Sequence, residues 1–303
     1  MIRSLTITNN IGDSIELELT KPEKSGFIVK EITGLGPVKS TINITQVTTN
    51  DGGVFNSARL PYRNIVMNLR FMQTEKETIE DVRHKSYKYF PIKKQITILI
   101  KTDNRELQTR GYVESNEPNI FSENEESSIS IICPDPYFYS TEINETTFSG
   151  IEPLFEFPFS NESLTEPLLE LGSIQNMQEQ VITYEGDADV GVIMTIHAIG
   201  SASNIVIYNT GTREQMGIDT TKLETITGSG IVDSDTIIIN TKKNQKRITL
   251  LRNGVETNIL NCLAKGSKWF TLTKGDNLFA YTAESGSSNL QFSIANEVVY
   301  SGI

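Results

Sequence analysis

The sequence predicts a mainly β protein of two domains. We expect an N-terminal β-sandwich-like domain with one inserted α-helix over residues 1–140, and a C-terminal antiparallel β-sandwich of the jelly-roll type over residues 141–303. Segments in which apolar and polar residues alternate recur along most of the chain, as half-buried strands require. Only one segment, residues 74–90, has apolar residues at helical spacing. Turn residues separate the remaining segments at intervals typical of a sandwich.

The strands of the first domain are clearest in "NIVMNLRFM" and "QITILIK". In the first of these, alternation predicts one apolar face and one polar face, with Asn68 and Arg70 on the polar side. The apolar face carries Ile65, Met67, Leu69 and Phe71. In the second segment the apolar face carries Ile96, Ile98 and Ile100. Both segments are therefore predicted to cover a core with one side only.

The exception to the β pattern is "TEKETIEDVRHKSYKYFP". Thr74 and Glu77 have the spacing of a capping box, in which both side chains accept N–H bonds of the first turn. Pro91 prevents the helix from continuing beyond Phe90. Basic residues lie near the C-terminal end of the helix, where their charge interacts favourably with the helix dipole. The predicted apolar stripe consists of Ile79, Val82, Tyr89 and Phe90.

The stretch "SSISIICPDPYFYS" raises the question of whether Cys133 is a nucleophile. Ile129, Ile131 and Cys133 share one strand face, which predicts a buried, unreactive thiol. Pro134 and Pro136 remove two backbone donors in quick succession and end the strand. The stretch is therefore interpreted as the end of the first domain, and limited proteolysis is expected to cut between residues 140 and 180. In the alternative, the C-terminal "VVYSGI" returns to pair with the first domain, and its removal then destabilises both halves.

The second domain is predicted to consist of strands without a comparable helix. Asn253-Gly254 suits a two-residue type I′ turn. Phe270 and Leu272 are expected on one strand face and Trp269 and Thr271 on the other, with Trp269 interpreted as a core or boundary residue and not as a platform for a sugar ring. His197, opposite in phase to its apolar neighbours, is expected on the exterior. The predicted strands are "LFEFPF", "VGVIMTIHAI", "SNIVIY", "DTIIIN", "KRITLL", "KWFTLT" and "NLQFSIANEVVY".

Charge and cysteine usage exclude several classes of function. The net charge is −11, and acidic residues exceed basic ones by ten in residues 141–303 but by only one in residues 1–140. An acidic second half argues against binding nucleic acid or an anionic membrane. Two cysteines far apart in sequence are expected to be reduced, and the absence of an apolar leader predicts folding in the cytoplasm.

No motif predicts catalysis, and neither a cofactor nor a metal is expected. The segment "GLGPVKS" lacks an amide that a phosphate loop would use, because Pro37 has no N–H. The acidic segments "GSGIVDSD" and "EGDADVG" lack the ligand pattern of a calcium loop. A carboxylate pair for glycoside hydrolysis depends on a distance in three dimensions, so a wall hydrolase stays open at this point.

The order of elements resembles a known family. One feature is Gly34-Leu35-Gly36 after an early strand, and another is the Gly-rich turn at Asn50-Asp51-Gly52-Gly53 before a strand that bears Arg59 and Arg63. The last is the exit Asp135-Pro136-Tyr137-Phe138. With the second half, in which "WFTLTKGDNLFAYTAESG" and "VVYSGI" resemble the family's closing strands, they are similar to the distal tail proteins of long-tailed phages infecting Gram-positive bacteria. The second domain also resembles galectins and carbohydrate-binding modules in its strand plan.

The resemblance implies a structural virion protein, not an enzyme. It implies a homo-hexameric ring at the tail tip, which joins the tail tube protein to the tail-tip or fibre protein and serves as a hub for host adsorption. A receptor-binding protein is a further partner that the resemblance allows. The alternative function is a carbohydrate-binding adhesin or receptor-binding module on the tail tip.

A ring of identical subunits needs contacts between two different faces of each subunit. The polar stretch from Gln46 to Arg63 reads as an exposed hairpin that is marginal alone in water. We therefore predict that Phe55 supplies apolar burial against the neighbouring subunit, and that Arg59 or Arg63 pairs with its carboxylates. Residues 83–88 of the helix are the second candidate for the interface.

Overall fold

The computed structural model describes residues 1–46, 51–152, 173–176 and 179–303. The chain divides into two compact units, of which the first contains Met1–Glu142 and Val299–Ile303 and the second contains Ile143–Val298. The sheets of both units are built from antiparallel strands, which confirms the predicted fold class. The expectation that residues 1–140 and 141–303 form separable domains remains a prediction. No helix in the described ranges is long and apolar enough to cross a membrane.

The first unit is built from two rows of strands that share one long strand. Its strands are β1 (Ile2–Thr8), β2 (Ser14–Glu18), β3 (Phe27–Thr33), β4 (Thr41–Gln46), β5 (Gly53–Arg59), β6 (Arg63–Phe71), β7 (Gln95–Thr102), β8 (Glu106–Pro118) and β9 (Glu126–Cys133), and β10 (Phe138–Thr147) begins in this unit and ends in the second. One row has the order β2-β1-β7-β8-β10, and the other has the order β3-β6-β9-β8. The first half of β8 pairs with β7 and its second half pairs with β9. The shared strand thus closes the two rows around one core.

The core of the first unit follows from strand alternation. In β6, every second residue from Arg63 to Phe71 is buried, and the residues between them are exposed or half-buried. Strands β7 and β9 show the same alternation. The predicted apolar faces of "NIVMNLRFM" and "QITILIK" are therefore confirmed, and they meet in one cluster with Leu5, Ile7, Leu17, Phe27, Val82, Phe90 and Phe138.

Helix α1 (Ile79–Tyr89) confirms the predicted helix but begins one turn later than its predicted cap. The capping box is formed by Thr78 and Asp81, not by Thr74 and Glu77. The hydroxyl of Thr74 accepts an N–H bond from Glu77 in the turn that precedes the helix. Both threonines carry an acidic residue three positions later, so the sequence pattern alone did not distinguish the two starts.

The second unit contains two further rows of strands. Its strands are β11 (Ser149–Glu152), β12 (Ser173–Asn176), β13 (Glu179–Tyr184), β14 (Val190–Gly191), β15 (Ile193–Ala198), β16 (Ser203–Asn209), β17 (Glu214–Ile218), β18 (Thr236–Asn240), β19 (Arg247–Arg252), β20 (Val255–Asn258), β21 (Thr271–Leu272), β22 (Gly275–Ser285) and β23 (Leu290–Tyr300), the last of which ends in the first unit. One row has the order β23-β15-β18-β19-β20, and the other has the order β13-β22-β16-β17. The predicted segment "LFEFPF" lies outside the described residues.

Aromatic side chains fill the core of the second unit. Phe148 and Phe292 meet edge to face with ring centroids 4.7 Å apart, and Tyr281 packs against both. Phe270 is buried beside Phe279, and Leu272, predicted on the same face as Phe270, is buried as well. The turn at Asn253-Gly254 has positive φ at both residues and joins β19 to β20, which confirms the predicted hairpin.

The expectation that the second half lacks a helix comparable to the first is wrong in one place, because α2 (Thr220–Thr227) lies between β17 and β18. The carboxylate of Asp219 accepts N–H bonds from Thr221 and Lys222, and Gly228 ends the helix in the left-handed conformation. Threonine has a low helix propensity, and the segment is only eight residues long. The signal that could have found α2 is the pair of end residues, aspartate before and glycine after.

Candidate assembly surface

The β4–β5 hairpin is the most exposed strand pair of the first unit. Every residue of both strands is exposed, and within the described ranges these strands pair only with each other. A hydrogen bond from the amide of Asn56 to the hydroxyl of Thr45 links them across the ladder. Such a hairpin has no core of its own, and two strands alone are marginally stable in water.

A β-bulge gives this hairpin an apolar face. The pairing shifts between Asn43 and Ile44, so that Ile44 lies opposite Phe55 and Asn56 is the extra residue. Because successive side chains point to opposite faces, the shift places Phe55 on the same face as Ile42 and Ile44. The side chain of Phe55 is 63% exposed. The face therefore presents two isoleucines and a phenylalanine to solvent.

Arg59 lies at the open end of the hairpin, opposite Thr41. It is exposed, and so is Lys39 just before β4. In the part of the chain that the structure describes, no carboxylate lies within 4 Å of either side chain. Phe55 and Arg59 thus remain available for the predicted contact between subunits, and that role stays a prediction.

Arg63 lies elsewhere, in the interior of the first unit. Only 1% of its surface is exposed. Arg63 shares the inward phase of Ile65, Met67 and Leu69 along β6. The same alternation that predicted the apolar face of "NIVMNLRFM" places Arg63 on it, and this was the signal against an exposed role. In this conformation its side chain is not available to a neighbouring subunit.

The guanidinium of Arg63 binds carbonyl groups from three separate segments. Its Nε donates to Pro136 O at 2.8 Å, and its Nη2 donates to Ser301 O at 2.7 Å. Its Nη1 donates to Gly34 O and, at 2.7 Å, to Gly36 O. Burial lowers the pKa of Arg63. The guanidinium stays charged at neutral pH because the ordinary pKa of arginine lies far above it. The arginine therefore links the turn after β3, the segment between β9 and β10 and the residue that follows β23.

The residues around Arg63 show why this arrangement is specific. The Arg63 guanidinium carbon lies 4.2 Å from the centre of the Phe138 ring, a cation–π contact. Gly34 has φ of +83°, and a Cβ there would come within 2.0 Å of Asn64 O, so only glycine fits. The N–H of Ile303 donates to Leu35 O at 3.1 Å and holds the same turn from the other side.

A second exposed apolar element, which the sequence analysis missed, connects β8 to β9. We call residues 119–125 the β8–β9 tip. Phe121 is 97% exposed and Ile120 is 48% exposed. The sequence signal for this element is the pair Ile120-Phe121 within the polar segment "NEPNIFSENEES". An ordinary surface turn consists of polar residues and glycine or proline, without two adjacent large apolar residues.

The candidate residues for chemistry have structural roles. Cys133 is fully buried, as predicted, and burial raises the pKa of its thiol to about 11. Asp235, considered as a calcium ligand, is bound by Arg252 through Nη2 at 2.6 Å and accepts the Val232 N–H. Trp269 is half-buried with Lys246 Nζ 5.4 Å from its ring centre. His197 is half-buried, and its Nδ1 lies 3.0 Å from Thr236 Oγ1.

Among the described residues, no group of three or more histidine, cysteine, aspartate or glutamate side chains is placed to hold a metal ion. A polar cleft of about 490 Å³ lies on the first unit beside the β8–β9 tip. Its rim includes Glu117, Glu126 and Lys30, and Lys30 Nζ lies 2.7 Å from Glu126 Oε1. Glu117 has no ion-pair partner among the described residues, the one lysine of the rim is paired with Glu126, and the rim does not converge on one ligand group.

The whole chain is similar to solved structures of phage tail proteins. The SPP1 Dit (gp 19.1) protein, presented as a paradigm of the hub adsorption apparatus in phages that infect Gram-positive bacteria, matches with a TM-score of 0.67 over 97% of this chain and 98% of that chain, at 13% identity. The chain has the distal tail protein fold. Two structures of the phage p2 baseplate in its activated conformation, with Sr and with Ca, match with TM-scores of 0.51 and 0.50 at 15% identity, over 98% of each chain. No family model and no curated protein matches the sequence.

The distal tail protein fold explains which sequence features belong together. Gly34-Leu35-Gly36, Arg63, Asp135-Pro136-Tyr137-Phe138 and the closing "VVYSGI" are far apart in sequence. All four contribute to the contacts around the Arg63 guanidinium. These features of the resemblance therefore meet at one structural junction in the first unit, whereas the turn at Asn50-Asp51-Gly52-Gly53 and the segment "WFTLTKGDNLFAYTAESG" are not part of it.

Proposed function

We propose that this chain is a structural protein of a phage tail, and that six copies form a ring at the distal end of the tail tube. The observation that carries the proposal is the match of the whole chain to the SPP1 Dit protein, a component of a hub adsorption apparatus, over 97% and 98% of the two chains. Because a fold by itself hosts many functions, the surface of the first unit supplies the second support.

That surface fits assembly with identical copies. The β4–β5 hairpin is exposed along its full length and carries Ile42, Ile44 and Phe55 on one face. Burial of such a face against a neighbour stabilises both the hairpin and the assembly. A contact between different faces of like subunits closes into a ring when the rotation between subunits permits.

In this proposal the ring joins the tail tube protein above to the tail-tip or fibre protein below, and it anchors the parts that attach to the host. A receptor-binding protein is the further partner. The chain acts by positioning these proteins, not by catalysis. The buried thiol of Cys133, the Asp235–Arg252 pair and the half-buried Trp269 each already contribute to the fold of their unit.

The test is the mass and shape of the purified full chain. Light scattering at micromolar concentration is expected to give about six times the monomer mass of 33.8 kDa. Negative-stain images are expected to show rings with six-fold symmetry. A monomer that stays monomeric both alone and after addition of the tail tube protein from the same genome would contradict the proposal.

A further inference from the structure

Two apolar projections leave the first unit at opposite ends of one strand. The β4–β5 hairpin joins the start of β6 through Leu60, Pro61 and Tyr62. The β8–β9 tip lies at the other end of β6, where Phe71 N donates to Glu125 O at 2.9 Å and Arg70 donates to the Asn124 side chain. Strand β6 has nine residues, which separates its ends by roughly 26 Å.

Neither projection is covered by the other within one copy. Phe55 is 63% exposed and Phe121 is 97% exposed. Leu60 and Tyr62, at 40% and 59%, extend the exposed apolar surface from the hairpin towards β6. Aromatic side chains contribute most to interfaces when they are fully removed from water. Each projection therefore has an exposed aromatic side chain whose burial against another protein would stabilise a complex.

The charges of the two projections are complementary. At the tip, Glu125 is held by Arg83 Nη1 at 2.9 Å and Glu126 by Lys30 Nζ at 2.7 Å. Glu117 and Glu123 are exposed, and neither has an ion-pair partner among the described residues. At the hairpin, Lys39 and Arg59 are exposed and likewise without a carboxylate nearby. The exposed glutamates at and beside the tip thus correspond to the basic open end of the hairpin, where Lys39 and Arg59 lie, while the exposed Asp51 lies at its closed end.

We propose that the β8–β9 tip of one copy docks against the β4–β5 hairpin of the next copy, with Phe121 on the face of Ile42, Ile44 and Phe55. This inference rests on the proposed ring of identical copies and names its contact. A head-to-tail contact of this kind is heterologous, since each copy donates a tip on one side and a hairpin on the other. Glu117 or Glu123 then lies beside Arg59 or Lys39 across the joint.

The first experiment is a cross-link between two single variants. Phe55→Cys and Phe121→Cys proteins are mixed, allowed to exchange subunits and treated with a short bis-maleimide. A covalent dimer containing one chain of each kind is expected, and neither variant alone should form it. Cys133 and Cys262 are buried, so the wild type measures the background. Phe55→Cys mixed with Val255→Cys, a position of equal exposure in the second unit, is the matched control.

The second experiment reverses charges. Arg59→Glu and Glu123→Arg are each expected to raise the concentration for half-assembly roughly tenfold, because like charges then face each other. The double variant restores the pairing and is expected to return to within about threefold of the wild type. The Glu117→Arg variant, alone and with Arg59→Glu, tests the other unpaired carboxylate, which lies in β8 next to the β8–β9 tip. Arg247→Glu and Glu256→Arg, both exposed in the second unit, are the controls.

The outcomes separate this inference from the proposed function. Hexamers that show neither the mixed cross-link nor rescue by a double charge reversal would overturn the contact while the ring stands. A wild type that stays monomeric both alone and with the tail tube protein would instead contradict the ring itself. If Phe121→Cys cross-links to added tail tube protein and not to Phe55→Cys chains, the tip binds that protein and the inference is wrong.

Discussion

The sequence predicted the environment of Arg63 wrongly, although it predicted the buried residues that follow Arg63 in β6 correctly. The alternation of β6 predicts its buried face, and Arg63 lies on that face. Arginine is rarely buried without partners, which favoured an exposed role in the sequence. The partners are backbone carbonyls of residues distant in sequence, at Gly34, Gly36, Pro136 and Ser301. The positions of backbone carbonyls depend on the tertiary fold, so the pattern of side chains in the sequence could not predict these partners of Arg63.

Replacement of Arg63 is expected to destabilise the first unit. Arg63→Met leaves the carbonyls without their donors, which costs roughly 2–4 kcal/mol of the free energy of unfolding. Arg63→Lys is expected to recover little, because an ammonium cannot reproduce the planar fork. Urea unfolding of dilute protein measures both. Arg59→Met is the matched control and should change the free energy of unfolding by less than about 0.5 kcal/mol. Equal effects of the two substitutions would contradict the role of Arg63.

Cys133 is expected to react slowly in the native protein. Its thiol is fully buried, and its pKa of about 11 leaves almost no thiolate at neutral pH. A polar thiol reagent should label the native chain slowly and the urea-unfolded chain fast. Cys133→Ser is expected to cost about 1–3 kcal/mol, since a hydroxyl enters an apolar row. Cys262 is also buried, so Cys262→Ala protein isolates the signal. Rapid native labelling of that variant would contradict the assignment.

The same thiol gives a pH dependence of stability. The pKa of Cys133 is raised from its ordinary 9.0 to about 11, so the folded state keeps the proton longer than the unfolded state does. Its contribution is complete below pH 9 and is lost as the pH rises from 9 towards 11. The free energy of unfolding of the wild type should therefore fall by about 2–3 kcal/mol more than that of Cys133→Ala over that range. Parallel urea titrations at each pH measure the difference, and parallel losses in both proteins would contradict it.

At the scale of elements, strand phase was predictable and element ends were not. The inward faces of β6, β7 and β9 follow from alternation, and the hairpin at Asn253-Gly254 follows from the turn preference of that pair. The start of α1 was misplaced because Thr74 and Thr78 offer the same cap chemistry. The apolar face of the β4–β5 hairpin depends on a bulge, and a bulge shifts phase by one residue without a mark in the sequence.

The exposed hairpin is the element with the clearest test. Phe55→Ser removes apolar burial and Arg59→Glu reverses a charge, so each is expected to shift hexamers towards monomers by roughly tenfold in half-assembly concentration. Circular dichroism should stay β-rich, since both residues are exposed in the single chain. Val255→Ser, an exposed apolar residue of the second unit, is the control. If both hairpin variants assemble like the wild type, the interface lies elsewhere, and the helix residues 83–88 become the next candidates.

At the scale of the whole molecule, the chain passes between the two units twice. It leaves the first unit after Glu142 and returns to it at Val299. The prolines after Cys133 predicted a domain boundary near residue 140, and that boundary stays a prediction. The second crossing depends on Ser301 and Ile303, whose bonds to Arg63 and Leu35 join residues more than two hundred positions apart. No local pattern in "VVYSGI" distinguishes a strand that stays in its unit from one that returns.

The second crossing alters what limited proteolysis should show. A cut between residues 140 and 180 is expected to yield two resistant fragments on a denaturing gel. Under native conditions the fragments should co-elute, because Val299–Ile303 remains covalently part of the second fragment while it is bound within the first unit. Gel filtration of the cleaved protein at a concentration where intact chains are monomeric measures this. A single uncut core spanning residues 140–180 would contradict the domain boundary.

Deletion of Val299–Ile303 tests the cause of that co-elution. The deletion removes the Ser301 carbonyl from Arg63 Nη2 and the Ile303 N–H from Leu35 O, so the first unit loses part of its Arg63 junction. After cleavage the two fragments of the deleted chain should elute separately. The deleted chain should also unfold at a urea concentration lower than the wild type, by an amount corresponding to roughly 2 kcal/mol. Arg63→Met should weaken the co-elution in the full chain by the same mechanism. If the fragments of the deleted chain still co-elute, contacts other than this segment hold them together, and the returning strand is not the link.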